Sequence, residues 1–284
     1  MPEATMNKTD YNGTQTTYRV AIALNNIGVD LLEKGCFSQA CDTHKDAVGV
    51  IMEAHKVAEH VHPMIIAFHR NDLSNLVLIK DCLHAALTRV CISRDPSRET
   101  HPNSRINAIS DKNVAQTLEK MGQVFNRSAS QPSTTFTYSP VKIDSGKSIS
   151  DGLLQFSLDF ETSVILFNFA IAHLCLAETV EDSKSAETHM QIALQLLCYA
   201  NDIAAVKCYG GEHLEALNLT DPFHLYRLLL LMAMILQNTV RLFCVLGMDD
   251  RAGEAAQRFF DLESVALQHR EVLRLYITSA SAAA

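Results

Sequence analysis

The sequence predicts an all-α protein built from antiparallel helix hairpins around one long insertion, and three observations carry that prediction. Hydrophobic residues make up 48% of 284 positions while Gly and Pro number only 11 and 7, too few turn formers for a protein of many short strands. Apolar residues recur at helical spacing over long stretches on both sides of residues 94–150. Start and stop signals flank those stretches: Gly35 and Gly247 suit the left-handed position after a helix, and Asp221-Pro222 suits a helix start.

Taken in order, residues 1–15 are expected to be a flexible N-terminus. Residues 16–93 should hold a hairpin of about 17–34 with 37–59, followed by an extra helix at about 72–91. Residues 94–150 are rich in Ser, Thr, Asn and Pro, a composition with little apolar surface to offset ordering entropy, so they form a low-complexity insertion. Within it, VAQTLEKMGQVF has apolar residues at helical spacing, and TFTYSPVKI suits a short edge strand because of Pro140. Removing 96–133 is accordingly expected to change stability by no more than about 1 kcal/mol. Residues 151–284 should form helices at about 157–179, 184–205, 222–246 and 250–277.

The first hairpin carries a specific arrangement: Asn26, Ile27, Gly28, Leu31, Gly35, Phe37, Ala40 and Ala47. It resembles the tetratricopeptide repeat family. A second unit matches at Asn168, Phe169, Ala170 and His173, with Ala186 and Ala193 repeating the seven-residue alanine spacing; a third matches at Asn238, Phe243, Gly247 and Ala252. The resemblance implies a right-handed solenoid of stacked hairpins whose first helices line a groove for peptides or partner helices. Small residues such as Gly28 and Ala40 are then expected where the two helices of one hairpin approach most closely.

The groove positions implied by the family are Asn25 and Val29, Phe167 and Ile171, and Gln237 and Arg241. Only Arg241 is cationic, which disfavours the family's clamp for the acidic tails of chaperones. Amide and apolar groups suit a partner's peptide or amphipathic helix better.

Charge narrows the partner class. The net values are −2 over residues 1–93, +3 over 94–150 and −9 over 151–284, within a total of −8. An acidic body repels phosphate backbones, so nucleic acid is not an expected partner. Eight scattered Cys without a C-x-x-C pair read as reduced thiols in helix cores. No secretory leader is visible and the acceptor-like triplets at Asn7, Asn12, Asn126 and Asn218 read as unmodified. The longest apolar run, Leu228 to Leu236, is about half a membrane span, and an intracellular setting, cytoplasmic or nuclear, is expected.

Catalytic patterns are weak. HRNDL at His69–Leu73 imitates a kinase loop without a glycine-rich phosphate loop upstream. His55, His60, His62, His69, His84 and Cys82 lack the paired spacing of a metal site, and Cys208-Tyr209-Gly210-Gly211 is too short to cradle phosphate. His173 on an apolar face fits a hydrogen-bonded core residue. No metal, cofactor or catalytic residue is assigned. Ser139-Pro140-Val141-Lys142 is a candidate phosphorylation site, with proline after the serine and a base three residues on. The expected function is a non-catalytic adaptor; the alternative is a structural subunit with its helices permanently buried against others.

Overall fold

The computed structural model describes residues 8–57, 76–92, 106, 108–110, 116, 119–120, 123–124, 136, 138–144, 154–209 and 222–282. Among these are seven helices: α1 (Lys8–Glu33), α2 (Phe37–Val57), α3 (Leu76–Ile92), α4 (Leu154–Thr179), α5 (Ser183–Tyr209), α6 (Pro222–Val245) and α7 (Asp249–Ala282). Two short strands, β1 (Ile109–Ser110) and β2 (Val141–Lys142), form a parallel pair in which Ile109 faces Val141. The chain is mostly helical, as its composition predicts. Residues 8–15, expected to belong to a flexible N-terminus, are the first turns of α1.

Local chemistry sets the hairpin turns. Gly35 (φ 74°) and Gly247 (φ 70°) take the left-handed conformation that costs a residue with a Cβ. Each follows its helix with the same pair of bonds. Cys36 N–H donates to Leu31 O and Gly35 N–H to Leu32 O; Met248 N–H donates to Phe243 O and Gly247 N–H to Cys244 O. These bonds satisfy carbonyls that a helix end leaves open. At the second turn Asp182 takes the role of cap, its Oδ2 accepting from Ser185 N–H at 2.9 Å.

The helices pair as α1 with α2, α4 with α5, and α6 with α7. Neighbouring hairpins then join through α2 against α4 and α5 against α6, while α3 lies on α1 and α2. Buried and partly buried polar bridges tie these contacts. His55 Nε2 and Thr162 Oγ1 lie 2.8 Å apart between α2 and α4, and Arg89 on α3 donates to Asp46 and Thr43 on α2 at 2.9 and 3.1 Å. The Arg227 guanidinium of α6 sits 5.7 Å from the Phe160 ring centre of α4.

The core is continuous across all three hairpins and includes Ile22, Leu31, Ile51, Phe167, Ile171, Leu196, Tyr226 and Phe259. Two stretches, Leu158–Thr179 and Leu225–Val245, have the length and apolarity to cross a membrane, yet 94% and 78% of their most apolar windows are buried inside the protein. Their apolar surface is already covered by other helices.

The region 94–150 is less irregular than its composition predicts. Ile106, Ile109 and Val124 within it are 5%, 4% and 1% exposed and belong to the core. Gln116 closes the approach to β1, accepting from Ser110 N–H at 3.1 Å and donating to Ala108 O at 3.2 Å. A few apolar residues at the right places outweigh a polar average.

Candidate functional site

The most specific polar constellation lies where residues 138–144 cross α1 and α4. Asn25 and Asn26 project from α1, and Asn168 projects from α4. Asn168 holds Val141 at both main-chain groups: its Oδ1 accepts from Val141 N–H at 2.9 Å, and its Nδ2 donates to Val141 O at 2.8 Å. Asn26 does the same for Ile143, accepting from N–H at 2.9 Å and donating to the carbonyl at 2.7 Å. Asn25 joins the two. It donates to Val141 O at 3.2 Å and to Asn26 Oδ1 at 3.3 Å, and it accepts from Asn168 Nδ2 at 2.8 Å.

A primary amide carries one acceptor and two donors, so it matches the N–H and C=O of a single extended residue as a neighbouring strand would. Helix surfaces offer no free main-chain groups to a strand. The asparagines supply them, and because they read only the main chain they place little demand on side-chain identity.

Side chains fix the register. Ser139, Val141 and Ile143 are 3%, 6% and 3% exposed and Pro140 is also buried, while Tyr138, Lys142 and Asp144 are only partly buried; from Val141 to Asp144 burial alternates as in a strand with one face on a core. On the outer side Lys142 Nζ lies 2.8 Å from Asp30 Oδ1 and 2.7 Å from Glu33 Oε2. Burial works against the Lys142 ammonium, and the hydrogen bonds to Asp30 and Glu33 outweigh it, leaving its pKa raised. Tyr138 donates to Glu178. Burial first, then that bond, pushes the phenol pKa up. Ile109 N–H donates to Pro140 O at 2.8 Å, so β1 binds the strand along one edge.

Of the expected groove positions only Asn25 has a hydrogen bond to this strand among the described residues, and most of the others are buried rather than lining an open groove. Asn25 is fully buried and bonded to it, and Val29, Phe167 and Ile171 are all 0% exposed. Gln237 is buried on α6, and Arg241 is partly exposed. Asn26 and Asn168, read from sequence as packing residues of the repeats, instead direct their amides to the strand; Asn238 is buried. Ala40, Ala47, Ala170, Ala193 and Ala252 are buried, and Ala186 is half-buried. Ser139, expected in an exposed linker, is buried against the helices.

Gly28 does mark a close approach, but its neighbour is a ring. A Cβ built at Gly28 would lie 2.6 Å from His44 Cε1, 2.7 Å from Nε2 and 2.9 Å from Nδ1, closer than such contacts allow. His44 is fully buried and neither ring nitrogen has a hydrogen-bond partner among the described residues. Burial, with nearby His173 adding to it, lowers its pKa to about 3. His173 is lowered to about 4 by burial and by His189, whose Nδ1 is 2.9 Å from its own.

Among the described residues no group of three or more His, Cys, Asp or Glu is placed to hold a metal ion. His55 is committed to Thr162 and His84 is exposed on α3. His60, His62, His69–Leu73, Gly210, Gly211 and Asp221 lie outside the described residues. Seven described cysteines are free thiols. A shallow surface groove of about 460 Å³ runs between α5 and the α6–α7 turn, lined by Cys198, Tyr199, Asp202, Phe243 and Arg251 among others.

No protein-family model, no curated protein and no solved structure matches the chain. The function therefore rests on the site itself.

Proposed function

We propose that the protein is a non-catalytic protein-interaction adaptor, in which the helical hairpins stack as a short tetratricopeptide-like solenoid and the face formed by α1 and α4 takes up an extended peptide. One observation carries this reading: three asparagines on two helices hold the N–H and C=O of two residues on one extended segment. Such an arrangement is a receptor for main chain, equivalent to adding a strand to a sheet edge. The segment at 138–144 is the internal occupant. A partner would enter the same face as an extended chain with small or branched apolar residues at alternate positions and a base facing Asp30 and Glu33, rather than as an amphipathic helix.

A tethered occupant competes at an effective concentration on the order of 1 mM. A peptide in trans is accordingly excluded until the occupant leaves. The test uses a fluorescently labelled peptide covering residues 136–144 and a full-length chain in which 138–143 are replaced by Gly and Ser. This emptied chain should bind the peptide at least roughly tenfold more tightly than the intact chain. Asn168→Ala in the emptied chain should abolish the difference. An emptied chain that keeps its helical circular dichroism but takes up no peptide overturns the proposal.

A further inference from the structure

We propose that Ser139 is a phosphorylation site whose modification and whose docking on α1 and α4 exclude one another, so that a proline-directed serine kinase opens the peptide face. This inference rests on the peptide-receptor reading given above. The sequence around Ser139 has the two features such kinases use: Pro140 next to the serine and a base, Lys142, three residues on.

In the docked chain every one of these features is occupied. Ser139 shares the inward face of the strand with Val141 and Ile143 and is 3% exposed. Pro140 O accepts from Ile109 N–H at 2.8 Å. Lys142 is bound by both Asp30 and Glu33. Kinases bind their substrates as extended chains with free main-chain edges, and this one has its edges taken by Asn26, Asn168 and β1. Phosphorylation therefore requires the strand to leave first.

The product cannot return. In the transfer the Ser139 hydroxyl oxygen forms a bond to the γ-phosphorus of ATP as the bond to ADP breaks, and the hydroxyl proton passes to the kinase's base. The result is a group of charge near −2 on the inward side of the strand, where its neighbours are the buried Val141 and Ile143. Burying that charge at a position 3% exposed is far costlier than leaving the strand in water. Glu178, held by the preceding residue, and the Asp30–Glu33 pair add like charge nearby. Phosphorylation thus traps the undocked state and leaves Asn25, Asn26 and Asn168 open to another chain.

The experiment compares the initial rate of phosphorylation of Ser139 by a recombinant proline-directed kinase with MgATP in three substrates: the intact chain, its Asn168→Ala variant and a free peptide of residues 134–146. Mass spectrometry locates the phosphate, and Ser139→Ala gives the background. The free peptide should react at least tenfold faster than the intact chain, and Asn168→Ala, which leaves the kinase motif unaltered, should recover most of the difference. Asn26→Ala is the second variant should Asn168→Ala lose its helical signal. Equal rates for peptide and intact chain overturn the gating, and a free peptide that is not phosphorylated overturns the site. The fully phosphorylated chain, and the Ser139→Glu chain, should then bind the labelled 136–144 peptide as the Gly and Ser replacement does. Failure of phosphorylated chain alone overturns the switch, whereas failure of the replacement chain as well overturns the peptide face itself.

Discussion

Gly28 and His44 show how a single hydrogen atom in place of a methyl group determines helix spacing. Gly is worth about 1 kcal/mol less than Ala in a helix interior, so Gly28→Ala would stabilise α1 if space were free. The 2.6 to 2.9 Å approaches to the His44 ring reverse the sign. Gly28→Ala should cost about 1 to 3 kcal/mol by overpacking, read from the urea midpoint, and Gly28→Val at least as much. In a His44→Ala background the same Gly28→Ala change should be neutral or mildly stabilising. A cost that persists without the imidazole would show that the ring is not what Gly28 accommodates.

His44 and His173 also make stability depend on acid. Both titrate lower in the folded chain, near 3 and near 4, than the ordinary value near 6.5. The unfolded chain therefore takes up protons first as pH falls. Their contribution is complete above about pH 6.5 and is lost progressively from there toward pH 4, with a slope of up to about 1.4 kcal/mol per pH unit for each group. The thermal midpoint should fall between pH 7 and pH 5, and His44→Leu should reduce that slope by about half. An unchanged slope would mean that His44 takes up its proton at the same pH in the folded and the unfolded chain.

At the scale of elements, residues 138–144 act as a strand whose sheet partner is only the two-residue β1, since helix-borne amides replace most of the partner that a strand normally requires. Val141→Pro removes the N–H that Asn168 accepts and should undock the segment. It should raise hydrogen exchange at Ile143 by roughly tenfold or more while the three hairpins keep their protection. Loss of exchange protection throughout would instead make the strand part of the global fold. Removing residues 96–133 takes away β1 together with Ile106, Ile109 and Val124. Buried side chains of this kind contribute about 1.5 to 3 kcal/mol each, and the ordering entropy of the segment offsets part of that. The deletion should therefore cost about 2 to 4 kcal/mol by urea denaturation, against the 1 kcal/mol expected from composition.

These elements also show what could be read in advance. Helix turns at Gly35 and Gly247 follow from the local cost of a left-handed residue, so four residues of sequence suffice to place them. The strand clamp does not work that way. Asn26 and Asn168 recur at one register, which suggested a packing role, but their partners lie 117 and 27 positions away. Hydrophobic periodicity carries no information about such pairings. The signal that was present is chemical: amides repeated on buried helix faces must find partners, and TFTYSPVKI, read as a short strand, carries the main-chain groups that two of them hold.

At the scale of the whole molecule, the third hairpin presents Val245, Met248, Phe260 and Val265 to solvent, with Phe260 52% exposed. Scattered apolar residues of this kind are ordinary on a monomer surface. An adaptor should accordingly run as a soluble monomer of 31.4 kDa by light scattering after size exclusion. A stoichiometric assembly with these residues protected from exchange would favour the structural-subunit alternative.

The strand also has a history in time. Lys142 follows Glu33, its ion-pair partner, by 109 positions, and a ribosome adds roughly 5 to 20 residues per second. The α1–α2 hairpin, complete at Val57, is therefore finished about 4 to 17 seconds before Lys142 is added, with Asn25 and Asn26 uncovered. Asn168, on α4, is made 27 positions after Val141, so the α1–α4 face is completed only when its own strand is already tethered beside it. Synthesis order thus gives the internal strand precedence: it is covalently present before the face it fills exists.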